Sequence, residues 1–165
     1  VLTGTDVTLS DMDAPTIQMV RQREFCATAE VTVSPANMQK DGRLGLAAFY
    51  SNDYHYEIYY TEKDGSGRIC LSRRIHDLEA VTAEHEVSEA SEKEALRLRI
   101  IADKESYRFY YSLGAEAPYV YLGCGDTAGL CTEITRTMTF TGVYFGMFAE
   151  RATGAFREFK VTYEE

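Results

Sequence analysis

The sequence predicts an all-β protein, a two-sheet antiparallel β-sandwich. Apolar and polar residues alternate with a period of two in many short segments, as in strands with one buried face. Gly, Asn and Asp separate these segments as turn residues, and no strand–helix–strand spacing is found. The aromatic residues, 12 Tyr and 8 Phe with no Trp, also favour pleated, half-buried surfaces.

The N-terminal half predicts four strands. Their expected bounds are Glu24–Val33, Leu44–Tyr50, Tyr54–Thr61 and Arg68–Ile75. The first is expected to end at Ser34-Pro35, because proline cannot donate a ladder hydrogen bond. The second and third form a hairpin around Ser51-Asn52-Asp53, and the glycine-rich segment 63–67 turns the chain into the fourth.

The C-terminal half is built from similar patterns. Residues 76–94 are rich in Glu and Ala, so a helix competes there, but mostly strand and loop are expected. Leu96–Ile100 and Tyr107–Tyr111 alternate and predict a hairpin whose charged side chains face water. The remaining expected elements are a short strand over Pro118–Leu122, a long loop over Gly123–Thr137, and a final strand pair, Met138–Ala149 and Ala155–Tyr163, around Thr153-Gly154.

Length and charge limit the possible partners. The 165 residues fit one domain, 1–165, and the formal net charge of -9 would repel a nucleic-acid backbone or an anionic membrane. No apolar run approaches the ~18 residues that a membrane span needs. The chain starts at Val1 with neither an initiator Met nor a signal-type leader, so we expect a domain excised from a longer polypeptide, although processing would leave the same mark.

The four cysteines, Cys26, Cys70, Cys124 and Cys131, are scattered along the chain. Cys26 and Cys70 lie in alternating patterns, which favours reduced thiols that pack as small hydrophobes. Cys124 and Cys131 are the only close pair, but they are spaced more widely than a zinc knuckle, with no His at ligand distance. We expect free thiols and a cytoplasmic location.

The sequence predicts no metal, cofactor or nucleophile site. His55, His76 and His85 lie far apart, with no His-x-x-x-His and no Glu at helical spacing. Gly65-Ser66-Gly67 comes nearest to a serine nucleophile elbow, but it lies in a predicted hairpin turn.

Three groups of motifs carry a resemblance to a known family. They are Arg21-Gln22-Arg23-Glu24-Phe25; Gly45-Leu46 with Phe49-Tyr50-Ser51-Asn52; and Phe140-Thr141-Gly142 with Val143, Phe145, Gly146, Met147, Phe156, Phe159, Val161 and Tyr163. Together they resemble the C-terminal domain of family 43 glycoside hydrolases, the β-xylosidases and α-L-arabinofuranosidases, over almost the whole chain. The resemblance implies a concanavalin-A-like jelly roll.

The resemblance also implies a non-catalytic accessory domain. In this family the catalytic carboxylates belong to an N-terminal five-bladed propeller, which these 165 residues do not include. The domain is expected to pack on the propeller of the same polypeptide, to help shape its pocket for xylan or arabinoxylan oligosaccharides, and to be inactive alone. A free-standing carbohydrate-binding, lectin-like module is the alternative, and an independent hydrolase ranks below both.

Phe140 is the residue that best matches a family site. The resemblance implies an aromatic residue carried on a sandwich loop to the mouth of the propeller's pocket, where it walls in the terminal sugar. A core phenylalanine in a hairpin is the competing interpretation. Arg21-Gln22-Arg23 matches a basic motif at a strand start, and its expected role is packing or pairing with acidic neighbours.

Two further groups of residues leave alternatives open. Glycoside hydrolysis needs two suitably spaced carboxyl groups, and spacing cannot be read from the sequence for the four candidates, Asp53, Glu57, Asp126 and Glu133. Tyrosines can stack on sugar rings, and two groups cluster within predicted strands: Tyr54, Tyr56, Tyr59 and Tyr60, and Tyr119 with Tyr121. A core or interface role is favoured for them, because aromatics at strand period mostly pack against the opposite sheet.

Overall fold

The computed structural model describes residues 1–87, 95–135 and 142–164, and their regular structure is almost entirely β-strand. The strands are β1 Leu2–Thr3, β2 Thr16–Arg21, β3 Ala27–Ser51, β4 Tyr54–Lys63, β5 Ser66–Ile75, β6 Leu78–Val87, β7 Leu96–Ala102, β8 Ser106–Leu113, β9 Val120–Asp126 and β10 Tyr144–Tyr163. A 3-10 helix, Thr127–Leu130, and one helical turn, α1 Thr132–Thr135, follow β9. In the described part of the chain no helix is long and apolar enough to cross a bilayer.

Two long strands run through both layers of an antiparallel sandwich. The C-terminal part of β3 pairs with β4, its N-terminal part pairs with β7, and β10 follows β3 along most of its length. The first layer therefore has the order β2, β10, β3, β4, β5, β6, and the second layer has β10, β3, β7, β8, β9. A straight strand of the 25 residues in β3 would span about 80 Å, so it must bend between the layers.

Side chains from the two layers meet in one core. The ring of Tyr56 on β4 lies edge-on to Tyr107 and Phe109 on β8, with ring centroids 6.1 and 6.4 Å apart. Gly123 on β9 lies against Leu71 on β5, because a Cβ at Gly123 would come within 2.9 Å of Leu71 Cδ2. Alternate residues of β3, β4, β7 and β8 supply the buried apolar side chains. The two-layer antiparallel sandwich predicted from the sequence is confirmed.

The outer face of the first layer is also covered. The N-terminal segment 4–15 places Leu9 in a second small cluster with Ala47, Tyr59, Cys70 and Phe148. As a result, seven consecutive residues of β4, starting at Tyr54, are buried on both faces of the strand. This cover puts charged β4 side chains out of contact with water.

The predicted ends of the two long strands are wrong. β3 does not end at Ser34-Pro35, because Pro35 pairs with Gly154 at a register shift, where a proline is tolerated within a sheet. Thr153-Gly154 is not a turn either, since β10 continues through it to Tyr163. Gly154 is required for close packing instead: a Cβ there would lie 2.8 Å from Leu44 Cδ1.

Other predictions are confirmed in part. The hairpins β3–β4, β4–β5 and β7–β8 are confirmed, and β6 replaces the competing helix up to Val87. The predicted long loop is wrong in its first part, because β9 continues to Asp126 and two short helices follow. Residues 88–94 and 136–141, which include the start of the predicted Met138–Ala149 strand, lie outside the described residues.

Candidate functional site

One end of the sandwich carries an open cavity of about 410 Å³, which we call the cavity end. It lies where β3 ends, where β9 leads into the short helices, and where the chain enters β10. Its lining includes Phe25, Tyr50, Leu130 and Val143. Phe25 is 61% exposed, and Ile134 on the adjoining helical turn is 48% exposed. An apolar surface of this kind is suited to contact with another domain.

Gln22 organises one wall of the cavity end. Its side-chain amide donates to the backbone oxygens of Glu24 and Phe25 at 2.9 and 3.2 Å, and its backbone N–H donates to Val143 O at 2.9 Å. Tyr107 donates its hydroxyl to Gln22 Oε1 at 2.8 Å. The motif Arg21-Gln22-Arg23 is expected to pack or to pair with acidic neighbours, and in the structure its central residue, Gln22, fixes the turn before β3 through these hydrogen bonds. Phe25 falls within the predicted Glu24–Val33 strand, but β3 begins at Ala27 and Phe25 is exposed.

Phe140 lies outside the described residues. The described residues before and after segment 136–141, which contains Phe140, lie at or beside the cavity end. Thr135 precedes the segment and is buried, and Gly142 and Val143 follow it and line the cavity. Gly142 has a φ of 70°, a left-handed conformation that favours glycine. The anchors of this segment are therefore placed at the cavity end.

The six candidate sugar-binding tyrosines do not form one surface. Tyr59 and Tyr60 are buried on β4, and the other four, Tyr54, Tyr56, Tyr119 and Tyr121, lie in different surroundings. Tyr54 and Tyr56 are buried in the core, where no sugar ring can stack on them. Tyr56 donates its hydroxyl to Asp126 O at 2.7 Å, and burial raises its pKa to about 12. The ring of Tyr119 is contacted by the guanidinium groups of Arg97 and Arg99, at 4.7 and 3.6 Å from the ring centroid.

Tyr121 is the most exposed tyrosine of the four, at 51%. Its ring lies edge-on to Tyr110, with centroids 5.5 Å apart. One exposed ring offers a sugar much less contact than a row of rings would.

A cluster of charged residues, of which His55, Glu57 and Glu150 are buried, lies on the outer face of the first layer, beneath the N-terminal segment. Arg43 Nη1 is 3.3 Å from Glu57 Oε2 and 3.6 Å from Glu79 Oε1, and Arg43 Nε is 3.9 Å from Glu150 Oε2. His55 Nε2 is 3.2 Å from Glu57 Oε1. We call these five residues the outer-face cluster.

The N-terminal segment is bonded to the outer-face cluster. The backbone N–H of Leu9 donates to Glu150 Oε1 at 2.8 Å, and the Ser10 hydroxyl is 3.2 Å from Glu79 Oε2. Gly45 leaves space for Tyr59 and Phe148 on the outer face, because a Cβ at Gly45 would come within 2.7 Å of Tyr59 Cβ and 2.9 Å of Phe148. Arg43 lies over the Tyr59 ring at 4.4 Å.

The two buried carboxylates of the cluster differ in their proton affinity. Burial opposes ionisation of Glu57, but its contacts with His55 and Arg43 outweigh that cost and hold its pKa below the ordinary value. Burial, together with the negative charge of Glu57, raises the pKa of Glu150 to about 7 in spite of Leu9 N–H and Arg43. Glu57 and Glu150 are each about 1% exposed, so a sugar ring cannot reach them.

The other carboxylates considered from the sequence lie elsewhere. Asp53 pairs with Arg74 at 3.2 Å, and Asp126 is exposed at the end of β9. Glu133 lies on the helical turn at the cavity end, where a hydrogen bond to its own backbone N–H lowers its pKa. The structure does not gather these side chains with Glu57 into one site.

Sequence reasoning missed the outer-face cluster. One local signal exists, because His55 and Glu57 are two residues apart in a strand and so point to the same face. Glu79 could not be found in this way. It reaches the cluster only because β6 pairs with β5 and β5 pairs with β4, with Glu79 opposite Arg74 and Arg74 opposite His55.

Two facing antiparallel layers that share two bent strands define a concanavalin A-like jelly roll. The chain belongs to the β-xylosidase C-terminal concanavalin A-like domain family, whose model matches residues 1–163. The resemblance to family 43 glycoside hydrolases inferred from the motifs is thereby confirmed.

The chain is similar to part of several longer proteins of family 43. It is 26% identical over 148 residues to the non-reducing end α-L-arabinofuranosidase BoGH43B of Bacteroides ovatus, covering 90% of this chain and 27% of that protein. Its fold matches BlXynB, a GH43 protein of Bacillus licheniformis (TM-score 0.87, 19% identity, 99% of this chain and 32% of that chain). It also matches the xylan β-1,4-xylosidase of Bacillus halodurans C-125, with a TM-score of 0.85 and 16% identity over 98% of this chain and 32% of that chain. The chain therefore spans about a quarter to a third of the length of these relatives.

Proposed function

We propose that this chain is the non-catalytic accessory domain of a family 43 β-xylosidase or α-L-arabinofuranosidase that acts on xylan or arabinoxylan oligosaccharides. The domain packs through its cavity end on the catalytic propeller of the same polypeptide and helps to shape the substrate pocket. Its membership of the family and the greater length of its relatives support this proposal.

The exposed apolar surface at the cavity end is the observation that carries the proposal. Phe25 is held outward by the hydrogen bonds of Gln22, so its exposure is built into the turn. A surface that packs against another domain retains apolar residues of this kind. The anchors of the Phe140 segment lie at the same end, which favours Phe140 as a wall of the propeller's pocket.

The alternative, a free-standing carbohydrate-binding module, has less support. It needs an exposed aromatic platform, but Tyr54 and Tyr56 are in the core and arginines contact the ring of Tyr119. Tyr121 is then the remaining candidate of the four.

In the full-length enzyme, Phe25→Ser is expected to weaken docking of this domain by about 1.5–3 kcal/mol, because a buried phenylalanine contact is lost. Differential scanning calorimetry should then show an earlier or separate transition for the sandwich. Val120→Ser is the matched control, since Val120 is 41% exposed and starts β9, about 20 Å along the strand from the cavity end. Equal destabilisation of the isolated chain by Phe25→Ser would contradict a docking role.

Also in the full-length enzyme, Phe140→Ala is expected to lower kcat/KM on aryl xylosides or arabinofuranosides about tenfold or more, because a pocket wall positions the sugar. The free energy of unfolding should change much less. A loss of about 3–5 kcal/mol of stability with unchanged kcat/KM would assign Phe140 to the core instead. Steady-state kinetics and urea unfolding of the same preparations separate the two results.

A further inference from the structure

The imidazole of His55 is held in one tautomer inside the outer-face cluster. Its Nδ1 is 3.1 Å from the backbone oxygen of Ser51, and a carbonyl oxygen can only accept a hydrogen bond. Nδ1 must therefore carry a proton. In the neutral ring this leaves a lone pair on Nε2, which is the arrangement that metal-binding histidines use.

The lone pair on Nε2 faces a carboxylate. Nε2 is fully buried, and no hydrogen bond reaches it from the described residues. Glu57 Oε1 lies 3.2 Å away, but that oxygen also carries lone pairs. Two buried lone pairs facing each other at this distance need a positive charge between them. This is either a proton on Nε2, which makes an imidazolium–carboxylate pair, or a metal ion.

A second carboxylate completes a ligand set. Glu79 supplies a carboxylate oxygen as a third ligand atom. This oxygen and the ligand atoms of His55 and Glu57 all lie within 4.8 Å of one another. The 3.2 Å between Nε2 and Oε1 is close to the edge of about 3.3 Å in a tetrahedron with bonds of about 2.0 Å. The Glu79 side chain is 31% exposed, so it can adjust toward an ion and a water can take a fourth position.

The charge of the cluster favours a divalent cation. Glu57, Glu79 and Glu150 supply three negative charges when all three are ionised, and Arg43 supplies one positive charge. Glu150 takes up a proton as the pH falls below about 7, which leaves one negative charge fewer. Arg74 Nη2 pairs with Asp53 at 3.2 Å and Arg74 Nη1 lies 3.7 Å from Glu79 Oε2. Arg74 and Asp53 together add one positive and one negative charge, so the carboxylates around the cluster still outnumber the arginines. Arg43 approaches Oε2 of Glu57, and Oε1 remains directed at His55.

We propose that His55 Nε2, Glu57 and Glu79 bind one divalent transition-metal ion, with Zn²⁺ the best match. One imidazole and two carboxylates form a ligand set that suits Zn²⁺ better than Ca²⁺ or Mg²⁺, which prefer oxygen ligands alone. The site links β4 to β6 beneath the N-terminal segment. That segment is itself bonded to Glu79 through the hydroxyl of Ser10. Its role is structural, and it departs from the sequence prediction of no metal.

The test is a titration of the chelator-treated 165-residue chain with ZnCl₂ at neutral pH, by isothermal calorimetry and thermal unfolding. We expect one Zn²⁺ per chain and a Tm that rises with Zn²⁺ concentration. Glu79→Gln and His55→Gln should each weaken binding more than about tenfold. Co²⁺ in the same site should give the strong visible absorption of four- or five-coordinate geometry, which Glu79→Gln should abolish.

Glu84→Gln is the matched control, because Glu84 also lies on β6 and pairs with an arginine, Arg68, away from His55. It should keep the affinity of the unmodified chain. The proposal is overturned if no saturable binding occurs up to about 1 mM Zn²⁺. It is equally overturned if Glu79→Gln binds as tightly as the unmodified chain, since surface thiols or the other histidines would then hold the ion. Glu79 is partly exposed, so this variant decides the matter even if His55→Gln fails to fold.

Discussion

Tyr56→Ala is expected to lower the free energy of unfolding by about 3–5 kcal/mol, as for other large aromatic side chains removed from a core. Tyr56 is 1% exposed and contacts both layers through Tyr107 and Phe109. Two glycines are fitted to its ring: a Cβ at Gly125 would lie 2.6 Å from Tyr56 Cε2, and one at Gly129 would lie 2.1 Å from its hydroxyl oxygen. Such close packing leaves the site little freedom to collapse around the cavity.

Two matched variants separate the contributions to this loss. Tyr56→Phe removes only the hydrogen bond to Asp126 O and should cost about 0.5–1.5 kcal/mol. Tyr121→Ala removes an exposed ring and should stay within about 0.5 kcal/mol of the unmodified chain. Urea denaturation followed by tyrosine fluorescence or circular dichroism measures all three. If Tyr56→Ala and Tyr121→Ala cost the same, the core assignment of Tyr56 is wrong.

Arg43→Ala is expected to destabilise the chain by about 3–5 kcal/mol, because it leaves Glu57 and Glu150 buried without their cation. Its side chain is three-quarters buried and also covers the ring of Tyr59, so some packing is lost as well. Arg68→Ala is the control, since it breaks an exposed pair with Glu84 and should change stability little. Thermal and urea unfolding in a chelator-containing buffer exclude metal effects.

The cost of Arg43→Ala should depend on pH in a defined direction. The pKa of Glu150 is raised from 4.5 to about 7 in the folded chain, so the folded state binds more protons than the unfolded state in that range. The contribution of Glu150 is therefore present below about pH 4.5 and is lost as the pH rises through about 7. Without Arg43 the ionised form is less favourable still, so the variant should lose more stability at pH 8 than at pH 5. An equal loss at both values would show that Arg43 acts through packing alone.

Local sequence patterns predict the strands in which buried apolar residues alternate with less buried residues. In β7 and β8, every second residue faces the core, and the period of two is visible in Leu96, Leu98 and Ile100. The long strands β3 and β10 are different, because Pro35 and Gly154 look like local terminators. Pro35 and Gly154 pair with each other at a register shift where the sheet bends. A contact between residues 119 positions apart in sequence therefore decides that both strands continue through these residues.

The same distinction holds for the candidate site. The motif containing Gln22 and Phe25 could be recognised from the sequence, but the outward direction of Phe25 depends on hydrogen bonds from Gln22 and on the start of β3 at Ala27. From the sequence Glu57 is one of four carboxylates that could take part in glycoside hydrolysis. Its burial beside Arg43 and Glu150 depends on three strands and on the N-terminal segment above them.

By itself the sequence determined the all-β class, the β3–β4, β4–β5 and β7–β8 hairpins, and the family, because alternation, turn residues and motifs are properties of neighbouring residues. Only the tertiary structure decided which polar residues became buried, where the long strands bend, and which side chains share a surface. Those outcomes depend on the register between strands far apart in the chain and on the segment that covers the outer face. From the sequence Glu57 resembles a surface carboxylate, but in the fold it is buried beside Arg43 and Glu150, and the N-terminal segment bonds to Glu150 through Leu9.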